Sequence, residues 1–140
     1  MSGATSRRLH HLDIVVRDLD RAEARYRQVL GVEPLPRESF PERGIDLVRF
    51  RIGETWLILV RPTDETGPVA VFLAEHGEGF FHLAVEVEDI GERARVLTSE
   101  GVRLANTEPR IGVDGWKLVD LELDETFGAM VQLVEDPEAA

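Results

Sequence analysis

A histidine heads an alternating apolar run twice in this chain. The first copy reads His11-Leu12-Asp13-Ile14-Val15-Val16-Arg17-Asp18-Leu19, the second His82-Leu83-Ala84-Val85-Glu86-Val87-Glu88-Asp89-Ile90, at a constant offset of 71 residues. In each copy an acidic residue and an amphipathic stretch follow the strand-like run. A repeat of this size restricts the fold more than a single motif does, because both copies must bury the same kind of face. Bringing two such units together sets two imidazoles on one wall, which is the beginning of a metal site.

Periodicity extends the repeat. From Leu9 to Val16 the alternation puts His11, Asp13 and Val15 on one face and Leu12, Ile14 and Val16 on the other. Asp18 or Asp20, the latter with Glu23 three residues on, is placed to cap a helix reaching Leu30. Leu19, Ala22, Tyr26, Val29 and Leu30 form its apolar stripe, and Gly31 stops it. Strands are predicted at about 45–52 and 55–60. Pro68 in a first turn and Gly77 after the end mark a linking helix at 68–76. The pattern then returns: a strand at 80–87, Asp89 and Glu92 as a capping box, and a helix to about Glu100. Strands follow at about 102–106, 116–123 and 129–134, and Trp56 to Val60 matches Met130 to Val134 at an offset of 74. The expectation is an α+β fold of two βαβββ units, about 9–62 and 80–135, within a single domain of 1–140.

A chain of 140 residues with 43% hydrophobic content can bury a core. The absence of cysteine excludes disulfides, thiolate metal ligands and a cysteine nucleophile, and fits a reducing compartment. No apolar run approaches the length of a membrane span, and the N-terminal stretch is short, polar and basic, so a soluble cytoplasmic protein is expected. A net charge of −11 opposes non-specific nucleic-acid binding and docking on anionic membranes, which leaves a small molecule as the expected partner.

The duplicated βαβββ unit headed by histidine resembles the vicinal oxygen chelate superfamily, which includes glyoxalase I, methylmalonyl-CoA epimerase, extradiol dioxygenases, and fosfomycin and bleomycin resistance proteins. The likeness is strongest to the methylmalonyl-CoA epimerases. It is carried by Pro41-Glu42-Arg43-Gly44-Ile45, by Gly77-Glu78-Gly79-Phe80-Phe81-His82-Leu83-Ala84 and by Glu108-Pro109-Arg110-Ile111-Gly112, and runs from about Leu9 to Glu135. The resemblance implies two cup-shaped half-barrels around a divalent cation (cobalt, manganese, nickel, zinc or iron), no organic cofactor, and a homodimer. It places the ligand positions at His11, Ile58, His82 and Gln132. Isoleucine cannot coordinate, and Gln132 stands where the epimerases carry glutamate, so the set has lost its carboxylate. Asp13 lies on the His11 face and is read three ways: as a ligand or a partner of a ligating histidine, as a substrate contact, or as a solvated side chain.

The resemblance also implies the chemistry: removal of a proton alpha to a carbonyl, with Glu42 as the base and an acyl-CoA among the possible substrates. The second base of the epimerases falls on Gln132, whose amide cannot accept a proton as a carboxylate does, so Asp13 or Glu86 would have to serve. Asp13, Trp56, Ile58, Glu86, Met130 and Lys117 are the expected pocket residues. Arg37, Arg43, Arg49, Arg51, Arg61, Arg110 and Lys117 supply positive charge that an acyl-CoA phosphate or carboxylate would need. Two other functions stay open. The cups could sequester a small hydrophobic molecule without turnover, or act as a dioxygenase if Asp13 supplies the carboxylate of an iron triad.

Overall fold

The structure, a computed structural model, describes residues 6–138. Its elements are β1 (Ser6–Val15), α1 (Leu19–Leu30), β2 (Glu38–Phe40), β3 (Ile45–Ile52), β4 (Thr55–Pro62), α2 (Pro68–His76), β5 (Gly79–Val87), α3 (Ile90–Ser99), β6 (Arg110–Ile111), β7 (Lys117–Asp120) and β8 (Val131–Glu135). The chain divides into two compact units. One comprises residues 11–81; the other comprises His82 onward together with the strand residues up to His10. The element order is βαβββ in each half, as the repeat predicts, and the class is α+β.

In the first unit the strands run in the order β2-β3-β4-β1. β1 pairs with β4 in parallel, and the hairpin partners β3 and β4 are antiparallel. Alternation sends Val48, Phe50 and Leu59 to the side covered by α1, where they meet Val16, Leu19, Tyr26 and Leu30. Val48, Phe50 and Leu59 are fully buried, so this apolar layer carries the stability of the unit. Asp18 caps α1, its Oδ1 accepting from Arg21 N at 3.0 Å. The alternative cap, Asp20, sits in the first turn instead, and Glu23 pairs with Arg27 and Arg37.

The second unit repeats the plan in the order β5-β8-β7-β6, with β5 and β8 parallel. Val87, Ile90, Val119 and Leu133 form its helix-side core. Asp89 caps α3 through Glu92 N at 3.0 Å, one repeat offset after Asp18. The strand predicted at 102–106 does not form; one bridge, Leu104 to Leu121, stands in its place. The reason is Asn106. Its side-chain oxygen accepts from Asp120 N at 2.8 Å and its Nδ2 donates to Leu118 O at 3.1 Å, so an amide side chain takes the bonds a strand backbone would make. The outer strand is β6 at Arg110–Ile111, and the predicted 116–123 strand ends at Asp120.

The N-terminal residues of β1 complete the second unit. Arg8 Nε meets Glu86 Oε1 at 2.7 Å, and His10 Nε2 meets Asp136 Oδ2 at 2.8 Å. His10 is fully buried edge-on to Trp116, with ring centroids 4.5 Å apart. Among the described residues no helix is long and apolar enough to cross a membrane.

Candidate metal centre

In the first unit the strand register sets one polar face opposite the helix-side core. His11 lies beside Trp56 and Asp13 beside Ile58 across the β1–β4 pair. Across the hairpin, Ile58 lies beside Arg49 and Trp56 beside Arg51. His11 is 3% exposed, and its Nε2 stands 4.0 Å from Asp13 Oδ1. That spacing lets the carboxylate favour a cation at the imidazole without a direct hydrogen bond. Ile58, where the resemblance implies a ligand, is buried and puts an apolar wall there instead. The guanidinium groups of Arg49 and Arg51 lie 4.8 and 4.6 Å from the Trp56 ring centre, and both stack their charge on it. Arg49 is also buried and grips Glu38 with two bonds, at 2.7 and 3.1 Å.

Glu42 sits exposed on a single 3-10 turn, Pro41–Arg43. Proline opens the turn, and Gly44 closes it at φ 66°, its N–H bonded to Pro41 O at 3.1 Å. A Cβ at Gly44 would overlap the Asp64 carboxylate, so the turn carrying Glu42 depends on a glycine there.

In the second unit the half-buried His82 lies two residues ahead of Ala84, the register partner of Gln132, so His82 and Gln132 share a face. Gln132 is 3% exposed, and its Nε2 donates to Asp120 Oδ1 at 2.9 Å. Its Oε1 is buried and accepts no hydrogen bond from any described residue. An orphaned buried carbonyl oxygen is costly unless a cation or other donor completes it. Glu86 shares this face and is 2% exposed, but it is committed to Arg8. Met130 is exposed. Lys117 pairs with Glu135 rather than with Gln132, which puts it on the side of Val119 and Leu133, away from the Gln132 face.

His11, Asp13 and His82 form a group whose side chains could hold a metal ion. Two imidazole nitrogens and a carboxylate oxygen are ligands that divalent first-row metals accept, and the carboxylate offsets part of the cation's charge. Sequence reasoning overlooked Arg8, Asp120 and Asp136. For Asp120 the signal was present: once the last two strands are paired, it falls directly opposite Gln132. For Arg8 and Asp136 no local signal exists, because their partners lie 78 and 126 residues away.

Known proteins agree with this geometry. The family model of the Glyoxalase/Bleomycin resistance protein/Dioxygenase superfamily matches residues 10–119. The chain is 34% identical to the ethylmalonyl-CoA/methylmalonyl-CoA epimerase of Cereibacter sphaeroides, over 90% of this chain and 96% of that protein. It is 32% identical to the uncharacterised protein YqjC of Bacillus subtilis, over 91% of each. Among solved structures it is similar to a variant of Streptomyces coelicolor methylmalonyl-CoA epimerase in complex with 2-nitronate-propionyl-CoA. The TM-score is 0.89 at 30% identity, covering 96% of this chain and 98% of that one. A chain with this repeat, this register and these relatives belongs to the glyoxalase, bleomycin resistance protein and dioxygenase superfamily.

Proposed function

We propose that this protein is a metal-assisted epimerase of the methylmalonyl-CoA type, acting by proton removal alpha to a thioester carbonyl. The observation that carries the reading is the His11, Asp13 and His82 group in a chain whose relatives include named epimerases of acyl-CoA substrates. His11, His82, Asp13 and the oxygen of Gln132 would hold the cation. A divalent metal bound there would favour negative charge on the carbonyl oxygen as the proton leaves. Glu42 takes the alpha proton, its exposed turn leaving the carboxylate open to a substrate. Glu86 is tied to Arg8, so returning a proton from the other face falls to Asp13, which restores the carboxylate that Gln132 lacks. Arg51, exposed and stacked on Trp56, supplies positive charge on the His11 face for an anionic substrate, whereas Arg49 is spent on Glu38. The protein acts as a homodimer in this reading, which sedimentation of the purified chain would check.

The deciding experiment follows the alpha proton of methylmalonyl-CoA in deuterated water, with cobalt or manganese added. Exchange is expected in the wild type, and exchange of the epimer whose alpha proton faces Glu42 is expected to be lost in Glu42→Gln. Absence of exchange with cobalt, manganese, nickel and zinc alike would remove the assignment. A second reading, capture of an apolar molecule without turnover, is favoured by the buried Ile58 at a ligand position. Tight binding of a ligand by metal-free protein, with no conversion, would support it.

A further inference from the structure

We infer that Asp120 is a positioning residue that fixes which end of the Gln132 amide is offered as a ligand. The inference rests on the proposed reading that Gln132 contributes its oxygen to a metal. A glutamine side chain can present either an acceptor oxygen or a donor NH2, and only the oxygen coordinates a cation. A carboxylate accepts and never donates when ionised, so a neighbour of that kind can bond the NH2 end alone. Asp120 stands opposite Gln132 in the β7–β8 register, and its Oδ1 accepts from Gln132 Nε2 at 2.9 Å. That contact turns Oε1 away from Asp120, where it is buried and takes no hydrogen bond from a described residue.

Asp120 is itself held. Its other oxygen, Oδ2, accepts from Arg110 Nε at 3.1 Å and Nη2 at 2.9 Å. Its backbone N–H donates to Asn106 Oδ1 at 2.8 Å, and its carbonyl accepts from Ala105 N at 2.7 Å. With one oxygen spent on Arg110, only the other can serve Gln132. An asparagine at 120 would have a single oxygen for Arg110 and would turn its NH2 toward Gln132. The Gln132 oxygen would then be drawn to Asn, with the wrong end left for the cation. Outer partners of this kind typically govern metal affinity by about 10–100-fold.

The test is calorimetric titration of the full chain with cobalt(II). Wild type, Gln132→Ala, Asp120→Asn and the double variant Asp120→Asn with Gln132→Glu are compared. Both single variants are expected to bind cobalt about tenfold more weakly. The double variant is expected to recover at least wild-type affinity, because the asparagine NH2 now faces a carboxylate and the polarity of the pair is reversed but matched. The single variant Gln132→Glu is the reference for the added carboxylate: with Asp120 intact two carboxylates face each other, and its cobalt affinity is expected to fall below that of the double variant, which a general structural role for Asp120 would not produce. Wild-type affinity in Asp120→Asn, or a double variant no better than Asp120→Asn, overturns the positioning role while Gln132 stands as a ligand if Gln132→Ala is weakened. Unchanged affinity in Gln132→Ala overturns the ligand role and this inference with it. If Asp120→Asn does not fold, Asp120→Ser replaces it in the single-variant comparison; its side chain is too short to hold the amide, and the same weakening is expected.

Discussion

The two halves share a backbone plan and differ in where they put charge. In the first, buried Arg49 on β3 holds Glu38 on the outer strand β2. In the second, the corresponding positions are Asp120 on β7 and Arg110 on β6, and the ion pair is reversed. Beside the arginine stands Ile58; beside the aspartate stands Gln132. A guanidinium offers only donors and would occupy any oxygen next to it, so a ligand oxygen beside Arg49 would already be taken. A carboxylate offers only acceptors and leaves its neighbour's oxygen free for other use. The polarity of one strand therefore decides what the next strand can present, and the duplicated site has become asymmetric as a consequence.

The comparison breaks most visibly at the two arginines. Arg49→Met leaves Glu38 without its buried partner, and the expected loss is about 2 kcal/mol, reduced from a fully buried pair because Glu38 is partly exposed. Arg110→Ala, at an exposed site, is expected to cost within about 0.5 kcal/mol. Denaturant midpoints of the two variants measure the difference, and equal losses would mean that the reversed pair is energetically the same device. The caps sharpen the opposite point. Asp18→Ala and Asp89→Ala remove the same bond from the same place in each half, and each is expected to cost about 1 kcal/mol. A marked inequality would show that the shared skeleton is not equally stressed.

The mildest expected effect is a pH slope set by His10 in the second unit. Burial pushes the His10 imidazole below its ordinary range, against the opposing effect of its hydrogen bond to Asp136. The unfolded chain then binds a proton that the folded chain refuses, so stability falls as pH drops below about 6.5. Asp136 is lowered by the His10 and Glu138 bonds in spite of its own burial, so its contribution is lost only in a more acidic window, below the ordinary carboxylate range. Denaturant midpoints between pH 7.5 and 5 should decline in the wild type and flatten in His10→Asn. An unchanged slope in His10→Asn would assign it to other groups.

Much of this was legible in the residues. The histidine-headed strands, both aspartate caps and the closing strands follow from period, cap chemistry and offset, all of which are local. The strand expected at 102–106 failed because Asn106 competes with backbone pairing through its side chain, and hydrophobic patterning does not register that competition. Lys117 was expected in the pocket as one of its positive charges, but one residue of alternation sends it to the face opposite Gln132. Asp13 was legible as a group on the His11 face because that needs only alternation. The Asp120 contact needed the pairing of two strands, and Arg8 and Asp136 needed tertiary structure alone.

The second unit is not contiguous along the chain, because its strand residues up to His10 come from the other end of the sequence. A gene fragment beginning at His82 would therefore encode two nearly buried carboxylates, Glu86 and Asp136, without the arginine and histidine that neutralise them. However this repeat arose, the copies can no longer be parted by scissors: the second half of the message has become unreadable as a protein without a few words written ahead of the first.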